Sequence, residues 1–158
     1  MTLSPIHPDG MALLRHFEGL RTKAYPCPAG VWTIGYGHTG GVKPRQTITQ
    51  EEAEELLRED VERFVKGVRK AIEGTPLNAY RFAALVCFAF NVGMGAFERS
   101  TLLQKIKAQD FDGARLQFFI WNKVKGKSSP GLTRRRNAEA ALFSGEIKRL
   151  NLILGGKA

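Results

Sequence analysis

From residue 53 to residue 72, apolar side chains return every three or four positions: Ala53, Leu56, Leu57, Val61, Phe64, Val65, Val68 and Ile72. That spacing lines one face of a helix. Thr49 and Glu52 form a capping box in front of it, and Gly74-Thr75-Pro76 breaks it behind. The pattern therefore predicts a helix over 50–73, about 30 Å long and able to join two lobes. Upstream, Asp9 is placed to cap a helix running to about Glu18. Ala12, Leu13, Leu14 and Phe17 supply its apolar side and Gly19 its stop. Tyr25 to Thr39 then changes character. Val31, Trp32, Thr33, Ile34 and Tyr36 are strand formers, and Pro28-Ala29-Gly30 is a turn, so a small antiparallel hairpin is predicted there.

Downstream, Asn78 is a candidate cap for a helix over 79–91. Its run from Phe82 to Phe90 is apolar on every side, so it is a core helix or a membrane span. The run is too short to span a bilayer, which puts it at the centre of a helical lobe. Ser100-Thr101 opens shorter helices, about 101–108 and 111–121. A basic loop follows from Lys123 to Gly131, and a last clear helix covers about 133–144. Residues 155–158, Gly-Gly-Lys-Ala, are expected to fray. The fold class is thus α+β and mostly helical, in a single domain. A small lobe with an antiparallel sheet (9–49), a connecting helix (50–73), a helical lobe (76–150) and a tail (151–158) make it up.

Composition narrows the classes. The chain has 158 residues, 43% hydrophobic and 25% charged. Those values suit a globular domain and exclude a disordered chain. Two cysteines, Cys27 and Cys87, make neither a disulfide framework nor a four-ligand zinc site. No metal and no cofactor is implied. Met1–Gly10 lacks a basic segment followed by an apolar one, so no secretory signal is predicted, and the chain is expected in the cytoplasm with its thiols reduced. The net charge is +9. Residues 1–75 carry 10 basic and 10 acidic side chains; residues 76–158 carry 14 basic and 5 acidic. A field on one half attracts a polyanion such as an acidic cell-wall polymer, an anionic outer-membrane polymer or nucleic acid.

Three side chains are candidates for chemistry. Glu18 ends a helix, where the partial negative charge of the carbonyls disfavours an ionised carboxyl. A carboxyl that keeps its proton near neutral pH is what a general acid requires. In a hairpin with a three-residue turn, Cys27 faces Val31, and Thr33 lies on the same face one diagonal away. A hydroxyl and a thiolate can place and activate a water, while an acid protonates a leaving oxygen, which is the logic of an inverting glycosidase. Each residue also has a plain reading: a solvated helix end, a small side chain in a turn and a strand former.

Glu18-Gly19-Leu20-Arg21, Ala24-Tyr25 and Gly30-Val31-Trp32-Thr33-Ile34-Gly35-Tyr36-Gly37-His38-Thr39 resemble the signature of phage-type lysozymes. That signature is Glu, eight residues, Asp or Cys, five residues, Thr. Phe90-Asn91-Val92-Gly93, Ser100 to Leu103, Trp121 and Gly131 to Glu139 extend the resemblance over about 10–150. It implies a lysozyme-like fold and hydrolysis of the β-1,4 bond between N-acetylmuramic acid and N-acetylglucosamine in peptidoglycan. Glu18 is then the acid, Thr33 places the water, and Cys27 is base or polar support. Asn91 and Tyr36 are the glycan-contact candidates. The resemblance further implies release through holin pores and action as a monomer without specific nucleic acid. Most members carry Asp where this chain has Cys27. Glu18 nearby opposes the thiolate, so Cys27 is expected to draw on the basic half or to act by polarity alone. His38 is expected to pair with Asp60, joining sheet to long helix. Trp121 reads more as core than as sugar platform. Arg134-Arg135-Arg136 is a solvated helix face, or a group that orients Glu18 or meets anionic polymer. Competing readings are a lytic transglycosylase, a basic nucleic-acid-binding module and a glycan-binding domain without catalysis.

Overall fold

A computed structural model describes residues 4–155; the last three residues of the predicted frayed end lie outside them. Helix α1 (Pro8–Glu18) opens the fold. Its cap is His7, not Asp9: His7 Nδ1 accepts the Asp9 N–H at 3.1 Å. Pro8, with no N–H to satisfy, takes the first helical position, so Asp9 falls inside the first turn, where its charge suits the helix dipole.

Strand β1 (Arg21–Pro26) pairs antiparallel with β2 (Trp32–Gly35), Tyr25 opposite Thr33 and Pro26 opposite Trp32. The turn falls as expected. Cys27 N–H donates to the Val31 carbonyl at 2.9 Å, and Gly30 N–H to the Cys27 carbonyl at 2.7 Å. Residues 46–48 add a further partner on the other edge of β1, through Ala24 N–H to Gln46 O (2.8 Å) and Ile48 N–H to Thr22 O (2.9 Å). The alternation there is too short to signal a strand.

Helix α2 (Gln50–Ala71) follows its capping box, with Thr49 Oγ1 accepting Glu52 N–H at 3.1 Å and Glu52 Oε1 accepting Thr49 N–H at 3.2 Å. Its apolar face buries Ala53, Leu57, Val61, Val65 and Val68. Asn78 caps α3 (Ala79–Val92), whose residues 83–89 are all buried, as an all-round apolar helix requires. Phe88 is the hub of the core. Phe118 (5.5 Å) and Trp121 (5.3 Å) meet its ring edge-on. Phe88 and Phe118, both fully buried, each contribute roughly 1.5–3 kcal/mol from burial.

The remaining elements depart further from the pattern. A short α4 (Met94–Glu98) precedes α5 (Thr101–Lys107) and α6 (Phe111–Phe118), which stops three residues earlier than predicted. The expected basic loop is a small hairpin, β3 (Lys123–Val124) with β4 (Lys127–Ser128). Lys125 (φ 50°) and Gly126 (φ 80°) both take left-handed backbone at its tip, the geometry of a tight two-residue hairpin turn. Helix α7 (Pro130–Phe143) starts earlier than predicted, because Ser129 caps it and Pro130 takes its first position. A further helix, α8 (Ile147–Ile153), occupies part of the predicted tail and buries Leu150. Among the described residues no helix is long and apolar enough to cross a membrane. α3 lies against α2 and α7, and α1 packs on α3 and α7, so α1 belongs by contact with the helical lobe.

Two polar ties bind the sheet to α2. Glu54 accepts from Arg15 Nε at 2.8 Å and from the Tyr36 hydroxyl at 3.1 Å. His38 Nδ1 lies 2.8 Å from Asp60 Oδ2, the pairing expected from the sequence.

Candidate active site

Glu18 is the last residue of α1 and is half-buried. Arg135 Nη1 donates to its Oε1 at 2.9 Å. Its Oε2 faces Gly37, just beyond β2, where a Cβ would come within 2.9 Å. Gly37 has φ +81°, so the position favours glycine by conformation as well as by space. A cleft of about 350 Å³ opens beside the carboxyl, lined by Phe17, Glu18, Asn91, Ser129, Gly131, Leu132 and Arg135. The sequence offered the arginine run as a group that orients Glu18. The pair forms, but it engages one oxygen only.

Cys27 and Thr33 lie toward the turn of the hairpin. Thr33 is buried, and its hydroxyl donates to the Val31 carbonyl at 3.0 Å. Cys27 is half-buried and its thiol is free. Backbone N–H groups of Val31 and Ala29 hold that thiol below its ordinary pKa. That lowering comes first from the turn's own amides. Among the described residues no side-chain hydrogen bond links Glu18 to Cys27 or Thr33. The pair stands near one end of β2, and the acid meets the chain just beyond the other.

The other candidates divide. Asn91 is exposed and lines the cleft, its side-chain oxygen accepting from Arg136 Nη2. Tyr36 does not line it. It is only 6% exposed and its hydroxyl donates to Glu54, which ties it to α2. Trp121 packs edge-on to Phe88, the core role its residue type favours. The arginine run is not a solvated face. Arg135 and Arg136 are 4% and 1% exposed; only Arg134 reaches outward, donating to the Ile153 carbonyl at 2.9 Å.

Sequence reasoning missed Glu139, fully buried, which accepts from Arg135 Nε at 3.2 Å and also from Arg136 Nη1. Its spacing of four and three residues from two arginines was the available signal. Ser129 and Leu132 were also missed as cleft-lining residues, because the sequence started their helix too late. Among the described residues no three or more His, Cys, Asp or Glu side chains gather as a metal site requires.

A mostly helical, two-lobed chain with a carboxyl ending the first helix beside a cleft, and the residues just beyond a short hairpin set against that carboxyl, defines a lysozyme-type fold. The phage lysozyme family model matches residues 15–139, and the chain belongs to that family. It is 45% identical over 142 residues to an endolysin of Acyrthosiphon pisum secondary endosymbiont phage 1, covering 87% of this chain and 97% of that protein. It is 48% identical over 146 residues to an endolysin of Bacillus phage B103, covering 90% of this chain and 55% of that protein. The chain thus spans about half the length of the latter relative. Among solved structures, the muramidase domain of SpmX from Asticaccaulis excentricus matches with TM-score 0.82 and 37% identity, covering 87% of this chain and 96% of that one. An endolysin from Escherichia coli O157:H7 phage FAHEc1 matches with TM-score 0.80 and 38% identity, covering 87% of this chain and 92% of that one.

Proposed function

We propose that this lysozyme hydrolyses the β-1,4 bond between N-acetylmuramic acid and N-acetylglucosamine in peptidoglycan, with Glu18 as general acid acting through Oε2. One observation carries the assignment: Arg135 ties down Oε1 at 2.9 Å while Oε2 stands unengaged beside the cleft, against Gly37. An acid held by one oxygen keeps its orientation and leaves the other free to carry the proton. That proton passes to the glucosamine O4 as its bond to the muramic acid C1 breaks. A water adds to C1, and its proton leaves to Cys27 or to solvent. Thr33 places that water, and Cys27 is base or polar support. Asn91, which lines the same cleft, binds the glycan.

The basic half, 76–158, docks on anionic wall polymer. The exposed Lys123, Lys125 and Lys127 support this, because their hairpin leads directly into cleft-lining Ser129. The enzyme acts as a monomer and reaches the wall after release from the cytoplasm through holin pores.

The test follows the turbidity of a purified peptidoglycan suspension and the ends of the products. Wild type clears it and leaves reducing sugars, and Glu18→Gln loses at least about 100-fold in rate. A 1,6-anhydro product would mean a lytic transglycosylase instead, and clearing by Glu18→Gln at the wild-type rate would remove the acid from Glu18.

A further inference from the structure

Glu139 is fully buried on α7, four residues after Arg135 and three after Arg136, so all three share one helix face. Its oxygens are divided between the arginines: Oε2 accepts Arg135 Nε at 3.2 Å and Oε1 accepts Arg136 Nη1. Each guanidinium then spends its other N–H groups elsewhere. Arg135 donates to Glu18 Oε1 at 2.9 Å and to the Cys87 carbonyl at 3.3 Å. Arg136 donates to the Asn91 side-chain oxygen and, at 2.9 Å, to the Trp121 carbonyl.

Stability is a weak reason for such an arrangement. Taking two guanidinium groups and a carboxylate out of water costs about what their attraction returns, and buried triads of this kind are often replaced by apolar groups without loss. Position is a stronger reason. An arginine stem has many rotamers, and its planar fork aims at a target only when it is braced from behind. One carboxylate here braces two forks, which end on two residues lining the same cleft, Glu18 and Asn91.

We propose that Glu139 is a positioning residue for the reaction, resting on the reading of Glu18 as the acid. Through Arg135 it fixes the orientation of Glu18, and through Arg136 it fixes Asn91. The two arms predict different kinetic signatures, because one holds the proton donor and the other a glycan-binding amide.

The experiment measures kcat and KM on solubilised, uncrosslinked peptidoglycan strands, at a temperature where circular dichroism shows each variant folded. Glu139→Gln keeps the shape of the side chain and loses the charge; kcat falls about tenfold and KM rises several-fold, the scale of sub-ångström misplacement. Arg136→Lys keeps a charge and loses the fork; KM rises about fivefold while kcat stays within about twofold. Leu142→Val, buried on the same helix and outside the cleft lining, lowers the melting temperature and leaves both constants unchanged. Wild-type kinetics in folded Glu139→Gln, beside an inert Glu18→Gln, would overturn the positioning role alone. An active Glu18→Gln would overturn the reading of the acid and this proposal with it. If Glu139→Gln does not fold, Arg136→Lys decides: an unchanged KM overturns the proposal and a raised one supports it.

Discussion

Replacing Gly37 by alanine tests the placement of the acid at its most exposed point. Gly37 has φ +81°, and a Cβ there would lie 2.9 Å from Glu18 Oε2. The backbone cost is about 1–2 kcal/mol for an L-residue in the left-handed region. The contact adds little to that, since a carboxylate is the mobile end of its side chain. It does not move freely, however, because Arg135 holds the other oxygen at 2.9 Å. Ordinary contact begins near 3.4 Å, so the carboxyl retreats by about 0.5 Å, and by the usual sensitivity of reacting groups this costs roughly tenfold in rate. Gly74→Ala is the matched control. Its φ is +86°, and nothing lies within 4 Å of its Cβ position. Both variants are expected to melt about 2–8 °C lower than wild type. Only Gly37→Ala is expected to clear a peptidoglycan suspension about tenfold more slowly per folded molecule. Equal clearing rates for the two variants would refute the argument that Oε2 is the working oxygen.

The two cysteines should separate under alkylation. Cys27 is half-buried and its thiol is lowered by the turn amides, whereas burial and the nearby Glu139 push the Cys87 thiol up. Iodoacetamide at pH 7.5 is expected to label Cys27 at least about tenfold faster than Cys87, read by peptide mass spectrometry, with clearing activity falling in step. Linkage gives the sign of the pH effect. A thiol depressed in the folded state adds stability above its ordinary value and loses it as pH falls through the folded value. The melting-temperature gap between wild type and Cys27→Ser should therefore widen from pH 6 to pH 9.5. Thr49→Ala removes the side-chain half of the capping box on α2, the bond from Glu52 N–H to Thr49 Oγ1, and keeps the backbone N–H that Glu52 accepts. It is expected to cost about 1 kcal/mol in thermal unfolding and to leave activity per folded molecule unchanged.

Some of this was legible in the sequence for identifiable reasons. α2 announces itself through a long three-and-four repeat behind a reciprocal cap, and α3 through an apolar run too short for a membrane. The hairpin turn is fixed by Pro28-Ala29-Gly30, and with it the common face of Cys27 and Thr33. α4 and α8 were invisible because five and seven residues hold too few turns for a period to emerge. The β3–β4 hairpin was invisible because its tip is Lys125-Gly126, without the Asn or Asp that usually marks such a turn. The arginines of α7 misled in another way. Charge in a sequence reads as surface, and only the fold shows that Arg135 and Arg136 are enclosed, with Glu139 between them.

The packing of α1 then explains why the acid and its arginine go together. The sequence groups α1 with the sheet that follows it, yet its apolar side lies on α3 and α7. Glu18 therefore sits on a helix packed directly against α7, which carries Arg135 and Glu139, and the 2.9 Å bond between Glu18 and Arg135 joins the two helices. Cys27 and Thr33 belong to the other lobe, which is tied to α2 through Tyr36 with Glu54 and His38 with Asp60. Gly37 is the place where the chain of the sheet lobe touches the carboxyl. A side chain as small as a methyl group there converts a free approach into a wedge, so its effect belongs to the rate of the reaction far more than to the stability of the fold.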